Sequence, residues 1–434
     1  MKAIFRRAAS RITIAGAILA ACILPVGAAR GAVDNDIRGK VIVGYQGWFG
    51  APGDGSGGGW RHYSLDPSKF TRETTTFEMW PDMSEAGPSE KFPTDFRLKD
   101  GGSAYVFSAA NGETVRRHFR WMRDYGIAGA ALQRFGSDLR DPVSRAFRDR
   151  VLANCRVAAN ENGRIWYLMY DLSGLDDSEL NDVLAADWMR LVDASDPRKD
   201  ATYARYGGKP VVCLWGIGFN DHRKYSLKAC ARLIDFLKNS PVYGGNSVIL
   251  GVPYFWRQEP EGRPTDSVSL SDLGPLLKKA DIVSPWAVGR YGSLDGAAAV
   301  GPKAVAPDLA WCRANDLGYQ PVIFSGFRWN NLMRTRGKPA SSGIPRAGGK
   351  FLWAQAASAI DSGAAMLYIA MFDEIDEGTA IFKVANDAPV PEGSFLTYEG
   401  LPSDFYLRLA GKISEALAKG APVDPAVLPP IPLK

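Results

Sequence analysis

The sequence predicts an α/β fold, a (β/α)8 barrel of the TIM type with a long insertion after its first strand, on three observations. Eight short apolar runs rich in β-branched and aromatic residues recur along the chain. Amphipathic helical stretches separate several of them, the alternation expected of a parallel sheet. Most of the runs end in Trp, Tyr or a carboxylate, the composition expected where barrel strands meet their functional loops.

In order, the strand runs are 41–49, 127–134, 165–171, 210–215, 247–254, 281–286, 321–327 and 364–372. The clearest helical stretches between them are 115–125, 144–160, 180–192, 226–237 and 350–362. The first connection is the exception. Residues 50–114 are rich in Gly, Trp and Pro and hold two further strand-like pieces, 74–80 and 104–108. These are expected to pair as a hairpin over the barrel mouth, with Gly55–Gly59 and Trp60 as a flexible, aromatic-tipped loop; the competing reading is a plain surface excursion. A last helix is expected at 409–419, followed by a Pro-rich tail over 421–434. Residues 33–420 then form one catalytic domain.

Residues 1–32 read as an export segment. Lys2, Arg6, Arg7 and Arg11 precede an apolar run from Ile12 to Val26, too short for a membrane span of about 20 residues. Small residues near Ala29–Ala32 suit cleavage. Leu19-Ala20-Ala21-Cys22 offers a second outcome, a lipid anchor at Cys22, so the mature protein is expected to be secreted, periplasmic or held at the cell surface. Five of the 52 basic residues lie in this segment and none of the 47 acidic ones, which leaves 47 of each beyond it. A surface in charge balance does not favour nucleic acid as a partner. Cys155, Cys213, Cys230 and Cys312 show no CxxC spacing, and one disulfide among them is open. His62, His118 and His222 stand far apart without pattern, so no metal site and no cofactor are expected. The chain is expected to be a monomer.

The strand ends gather the candidate site. They contribute Tyr45, Gln46 and Trp48; Arg134; Asp171; Trp215; Tyr254 and Trp256; Trp286; Arg328 and Trp329; and the acidic segment Asp373-Glu374-Ile375-Asp376-Glu377, with Trp80 reaching in from the insertion. A mouth of aromatic rings and a few carboxylates suits sugars, whose apolar faces stack while their hydroxyls bond. Each residue also has a plainer reading. A Trp can cap the core, Asp171 can cap a helix, the arginines can be ion-pair partners, and the acidic segment can be a solvated loop or a cation site. Cleavage of a glycosidic bond needs two carboxyls in different protonation states, and close like charges separate their pKa values. Glu374 and Glu377, three apart in a turn, are the candidate catalytic pair.

The segment Phe372-Asp373-Glu374-Ile375-Asp376-Glu377-Gly378-Thr379 resembles the Phe-Asn-Glu-Trp-His-Glu-Gly-Thr type of motif in glycoside hydrolase family 99, the endo-α-mannosidases and endo-α-mannanases. Gly44-Tyr45-Gln46-Gly47-Trp48-Phe49, Gly126-Ile127-Ala128-Gly129, Phe324–Leu332 and Ile344-Pro345-Arg346 are similar to segments of the wider family 71/99-like group. The resemblance runs over roughly residues 38–390. It implies a (β/α)8 barrel acting as a retaining, endo-acting α-glycosidase on a polysaccharide or oligosaccharide. It also implies that Glu374 is the base on the sugar 2-hydroxyl and Glu377 the general acid/base. The family's Trp-His or Trp-Asn between the glutamates is Ile375-Asp376 here, and Asp373 replaces Asn. A non-catalytic carbohydrate-binding protein on the same barrel is the alternative.

Overall fold

A computed structural model describes residues 33–257, 266–389, 395–420 and 423–432. The expected export segment and the Cys22 lipobox lie outside the described residues, as does part of the Pro-rich tail.

Eight parallel strands make the barrel: β1 (Val41–Tyr45), β2 (Gly129–Phe135), β3 (Ile165–Asp171), β4 (Lys209–Trp215), β5 (Ser247–Pro253), β6 (Ile282–Trp286), β7 in two pieces (Gly318–Tyr319 and Val322–Phe324) and β8 (Leu367–Ala370). They pair in sequence from β1 to β6, and β8 pairs with β1. The first piece of β7 pairs with β6 and the second with β8, which closes the ring. The strands are buried along nearly their whole length, because helices cover the outer face and side chains fill the inner one. This explains why they read as continuous apolar runs rather than alternating ones.

The expected seventh strand, 321–327, is shorter and split. Pro321 has no N–H for the ladder, so the strand breaks there. Gln320 N still reaches Val283 O (2.9 Å) and Tyr368 N reaches Pro321 O (3.0 Å), so the two flanking strands stay in register across the break. The expected helix 180–192 divides into a π-turn, Leu180–Ala185, and an α-helix, Ala186–Ser195. The last helix begins earlier than expected, at Phe405, and ends at Lys419.

The insertion departs most from expectation. Its antiparallel hairpin joins Phe92–Arg97 to Ser103–Val106, not 74–80 to 104–108. Residues 77–80 lie instead against the loop after β8: Glu78 N and Met79 N both donate to Ile375 O, at 2.7 and 3.2 Å. Trp60 is no exposed tip. It packs on Phe70 (5.0 Å between ring centres) inside an aromatic cluster that also holds Tyr63, Phe77, Trp80, Phe96 and Phe395. The four cysteines among the described residues are buried free thiols.

Candidate active site

The site is built on the end of β8. After Ala370 the chain passes through a cis peptide to Met371, and Phe372 N returns to Gly44 O of β1 (2.7 Å). Close approach of β1 and β8 requires Gly44, since a Cβ there would sit 2.1 Å from the Tyr368 hydroxyl. Residues 375–378 then form a tight turn, for which Gly378 takes φ +64°. Arg346, buried and laid over the rings of Tyr398 and Tyr406, braces this turn from behind. Its guanidinium donates to Gly378 O (2.8 Å) and Ala380 O (2.6 Å).

Four carboxyls crowd this turn, and their surroundings differ. Asp373 is fully buried; its two oxygens accept from Gln46 N (2.7 Å) and Gly47 N (2.9 Å). It therefore fixes the β1 loop and has no face left for a ligand, which corrects its placement among the substrate-binding residues. Burial pushes its pKa up to about 7 against the pull of those two amides. Glu374 is also buried. Its oxygens accept from Gln46 Nε2 (2.7 Å) and Thr379 Oγ1 (2.7 Å). Burial, then the charges of Glu377 and Asp376, hold it well above the usual carboxylate range, while the two donors oppose the shift. Glu377 is half-buried, and burial together with Asp376 pushes it up to about 7, with the Arg336 guanidinium pulling the other way. Burial raises Asp376 to about 8; one of its oxygens has no hydrogen-bond partner among the described residues and the other lies 3.4 Å from His62 Nδ1. Close buried carboxyls without an equal number of cations retain protons at neutral pH, as groups that donate and accept in acid/base chemistry require.

Gln46 is the pivot of the site. Its amide N–H meets Asp373, its side chain meets Glu374, and its carbonyl accepts from Arg148 (2.8 Å). Trp48, two residues on, stacks on His62 (4.0 Å, 10° between planes) and on Phe135. Across the mouth, Trp215 and Trp286 meet edge to face at 5.3 Å, and Trp286 adjoins Tyr368 (6.5 Å) in the barrel interior. Gly251 makes room for this pair; a Cβ there would stand 2.5 Å from the Trp215 ring. Asp171 accepts from Gln133 Nε2 (3.0 Å) and Ser173 N (2.7 Å), so it turns into the barrel rather than capping a helix, and burial raises its pKa. Arg328 is tied through Nε to the fully buried Glu78 of the insertion, and its backbone N–H donates to Glu377 O (2.9 Å). Half-buried Trp329 packs on Phe327 (5.3 Å). A cavity of about 350 Å³ opens beside Arg328, Arg346 and Gly378.

Other expected site residues lie elsewhere. Tyr45 is buried under the barrel wall, its hydroxyl 2.9 Å from His118 Nδ1 and its ring against Phe119 and Phe372. Arg134 faces the outer helices, where Asp187 holds it at two points (2.7 Å each) and Asp149 at a third (2.7 Å). The reason is parity: successive strand residues face opposite ways, and it is Gln133 that points into the barrel. Trp80 belongs to the core of the insertion, with its indole N–H spent on Tyr105 O (2.9 Å). Trp256 is buried, bonded to Asp308 (3.0 Å) and packed edge to face on Trp311. Tyr254 packs on Tyr291 and Phe255, apart from the Trp215–Trp286 pair. The residues missed by sequence reasoning are Gln133, Thr379, Arg148, Glu78 and His62. Alternation along β2 was the available signal for Gln133. Glu78 and His62 are distant in sequence and come to the site only when the insertion folds back.

No protein-family model matches the chain, and no curated protein matches it. Solved structures do. The family 99 endo-α-mannosidase from Bacteroides thetaiotaomicron superposes with a TM-score of 0.63 at 17% identity, over 88% of this chain and 99% of that one. A protein described as glycoside hydrolase-like superposes with a TM-score of 0.51 at 14% identity, over 81% of this chain and 98% of that one. The likeness is one of fold: the chain is a (β/α)8 barrel, similar in fold to a family 99 structure over most of its length.

Proposed function

We propose that the protein is an exported glycoside hydrolase that cleaves an α-linked polysaccharide or oligosaccharide within the chain and with retention. The observation that carries this reading is the placement of Glu374 and Glu377 in one turn at the end of β8, with raised pKa values and no bonded cation among the described residues. Glu377, half-buried, gives its proton to the glycosidic oxygen as that bond breaks. With the proton shared by the pair on Glu377, Glu374 is the ionised member, its carboxylate held by donors from Gln46 Nε2 and Thr379 Oγ1, and it takes the proton of the 2-hydroxyl, whose oxygen closes on the anomeric carbon. Water then opens the three-membered ring, Glu377 taking its proton and Glu374 returning one to the 2-oxygen. This is a substrate-assisted form of the two-carboxylate scheme. Trp215 and Trp286 offer aromatic faces for flanking sugars.

The test is a panel of α-linked oligosaccharides and polysaccharides, α-mannans among them, offered to the wild type, Glu374→Gln and Glu377→Gln. Turnover by the wild type that both variants lose supports the reading. Full activity in both variants overturns the mechanism, and binding without turnover in the wild type makes the protein a carbohydrate-binding barrel.

A further inference from the structure

His62 is the one histidine that meets the acidic turn, and the insertion brings it there from a position more than 300 residues away in sequence. Three contacts fix it. Its ring stacks on Trp48 at 4.0 Å, its carbonyl accepts from Thr76 Oγ1 (2.7 Å), and its Nδ1 lies 3.4 Å from Asp376 Oδ2. It does so with φ +58°, a left-handed backbone that few residues other than glycine adopt. A strained backbone persists where surrounding contacts over-determine it, and such residues cluster at functional sites.

We propose that His62 and Asp376 form a positioning pair in which the Asp376 carboxyl donates its proton to His62 Nδ1, pinning the insertion on the acidic turn. The pair itself stands on the geometry; its part in catalysis rests on the function proposed above. The unpartnered oxygen of Asp376 agrees with a neutral acid, because an ionised carboxylate buried with one oxygen unbonded is far more costly. Burial raises Asp376 to about 8, and the Trp48 ring stacked on His62 withdraws water from an imidazole that still keeps 34% of its side-chain surface exposed, which lowers His62, so at neutral pH one proton stays between them. The other groups facing the pair keep to this arrangement. Arg148 is committed to Asp138 and the Gln46 carbonyl, and Arg61 to Asp138 and Ser144. Tyr63 gives its hydroxyl to Phe107 O, and Glu374 and Glu377 stand on the turn itself.

The chain has three histidines, so nitrogen-15 spectra of histidine-labelled protein resolve His62 directly. Between pH 5 and 7, His62 is expected to stay neutral with its proton on Nε2 and Nδ1 accepting. Asp376→Asn, whose amide can still donate, keeps that tautomer; Asp376→Leu loses it. A His62 that titrates near its ordinary value, or that carries its proton on Nδ1, overturns the pair. In the hydrolase assay over pH 5–7, Asp376→Asn should retain about five- to tenfold more activity than Asp376→Leu, the scale of one hydrogen bond. Equal damage in both variants would mean that the ionised form is the working one and would overturn the role assigned to the proton. The spectra need no substrate. If no sugar is cleaved but the tautomer result holds, the pair stands and the hydrolase reading fails.

Discussion

Two polar clusters with buried centres lie at the strand ends of this barrel, on opposite faces of its wall. On the outer face, Arg134 and Arg190 meet Asp187 and Asp149, and the Tyr170 hydroxyl completes the shell of Asp187. Two cations face two anions, and the Asp187 pKa is lowered even though its burial works the other way. On the inner face, Asp373, Glu374, Asp376 and Glu377 share one turn, their bonded partners are amides, a hydroxyl and one neutral histidine, and all four pKa values rise. Both clusters cost desolvation. The outer one offsets it with ion pairs and becomes structure; the inner one leaves it uncompensated and retains mobile protons. The presence of charge at a strand end therefore says little until its partners are known.

Breaking the inner cluster should affect turnover first. Glu377→Gln and Glu374→Gln are expected to lower the hydrolysis rate by about 10²–10⁴, the usual weight of general acid/base catalysis, with little change in urea-induced unfolding. Breaking the outer cluster should do the reverse. Arg134→Met leaves Asp187 short of a buried partner and is expected to cost about 3–5 kcal/mol by urea titration, while sugar binding by the folded fraction stays as in the wild type.

The pH dependence of stability should separate the clusters by sign. The inner carboxyls have raised folded-state values, so their stability is fully present below about pH 4 and is lost as pH climbs through 7 to 8. Asp187 has a lowered value, so its contribution is present above its unfolded value near 4 and is lost as pH falls further. Melting curves from pH 3 to 9 should show both limbs, each shifted pKa unit being worth about 1.4 kcal/mol. Glu374→Gln should flatten the limb above neutrality and leave the acid limb in place. An unchanged neutral limb would mean that the inner carboxyls ionise normally. The smallest effect is expected from the aromatic mouth: Trp215→Ala or Trp286→Ala should raise KM several-fold, on the scale of about 0.5–1.5 kcal/mol for a ring contact, with kcat nearly unchanged. Trp256→Phe, on the buried side, should leave KM alone.

The same contrast explains which parts of the site could be read early. The acidic turn that carries Glu374 and Glu377 is legible because a short apolar strand followed by an acidic run is a local pattern. Tyr45, Arg134 and Trp256 lie outside the site because being near a strand end does not say which way a side chain faces. One residue of parity separates Gln133, bonded to Asp171 in the barrel, from Arg134, bonded to Asp187 outside it. Trp80 lies outside the site for another reason. The insertion has an aromatic core of its own, and burial there outweighed exposure at the mouth.

The sequence by itself determined the eightfold strand rhythm, the position of the insertion and the acidic turn after the last strand. These depend on local periodicity and composition. Only the tertiary structure decided that Asp373 is a strut for the β1 loop, that Gln46 and Thr379 hold Glu374, and that His62 closes on Asp376. The physical reason is that a buried carboxyl's role is set by which donors and cations reach it. Those groups come from strands and loops hundreds of residues apart.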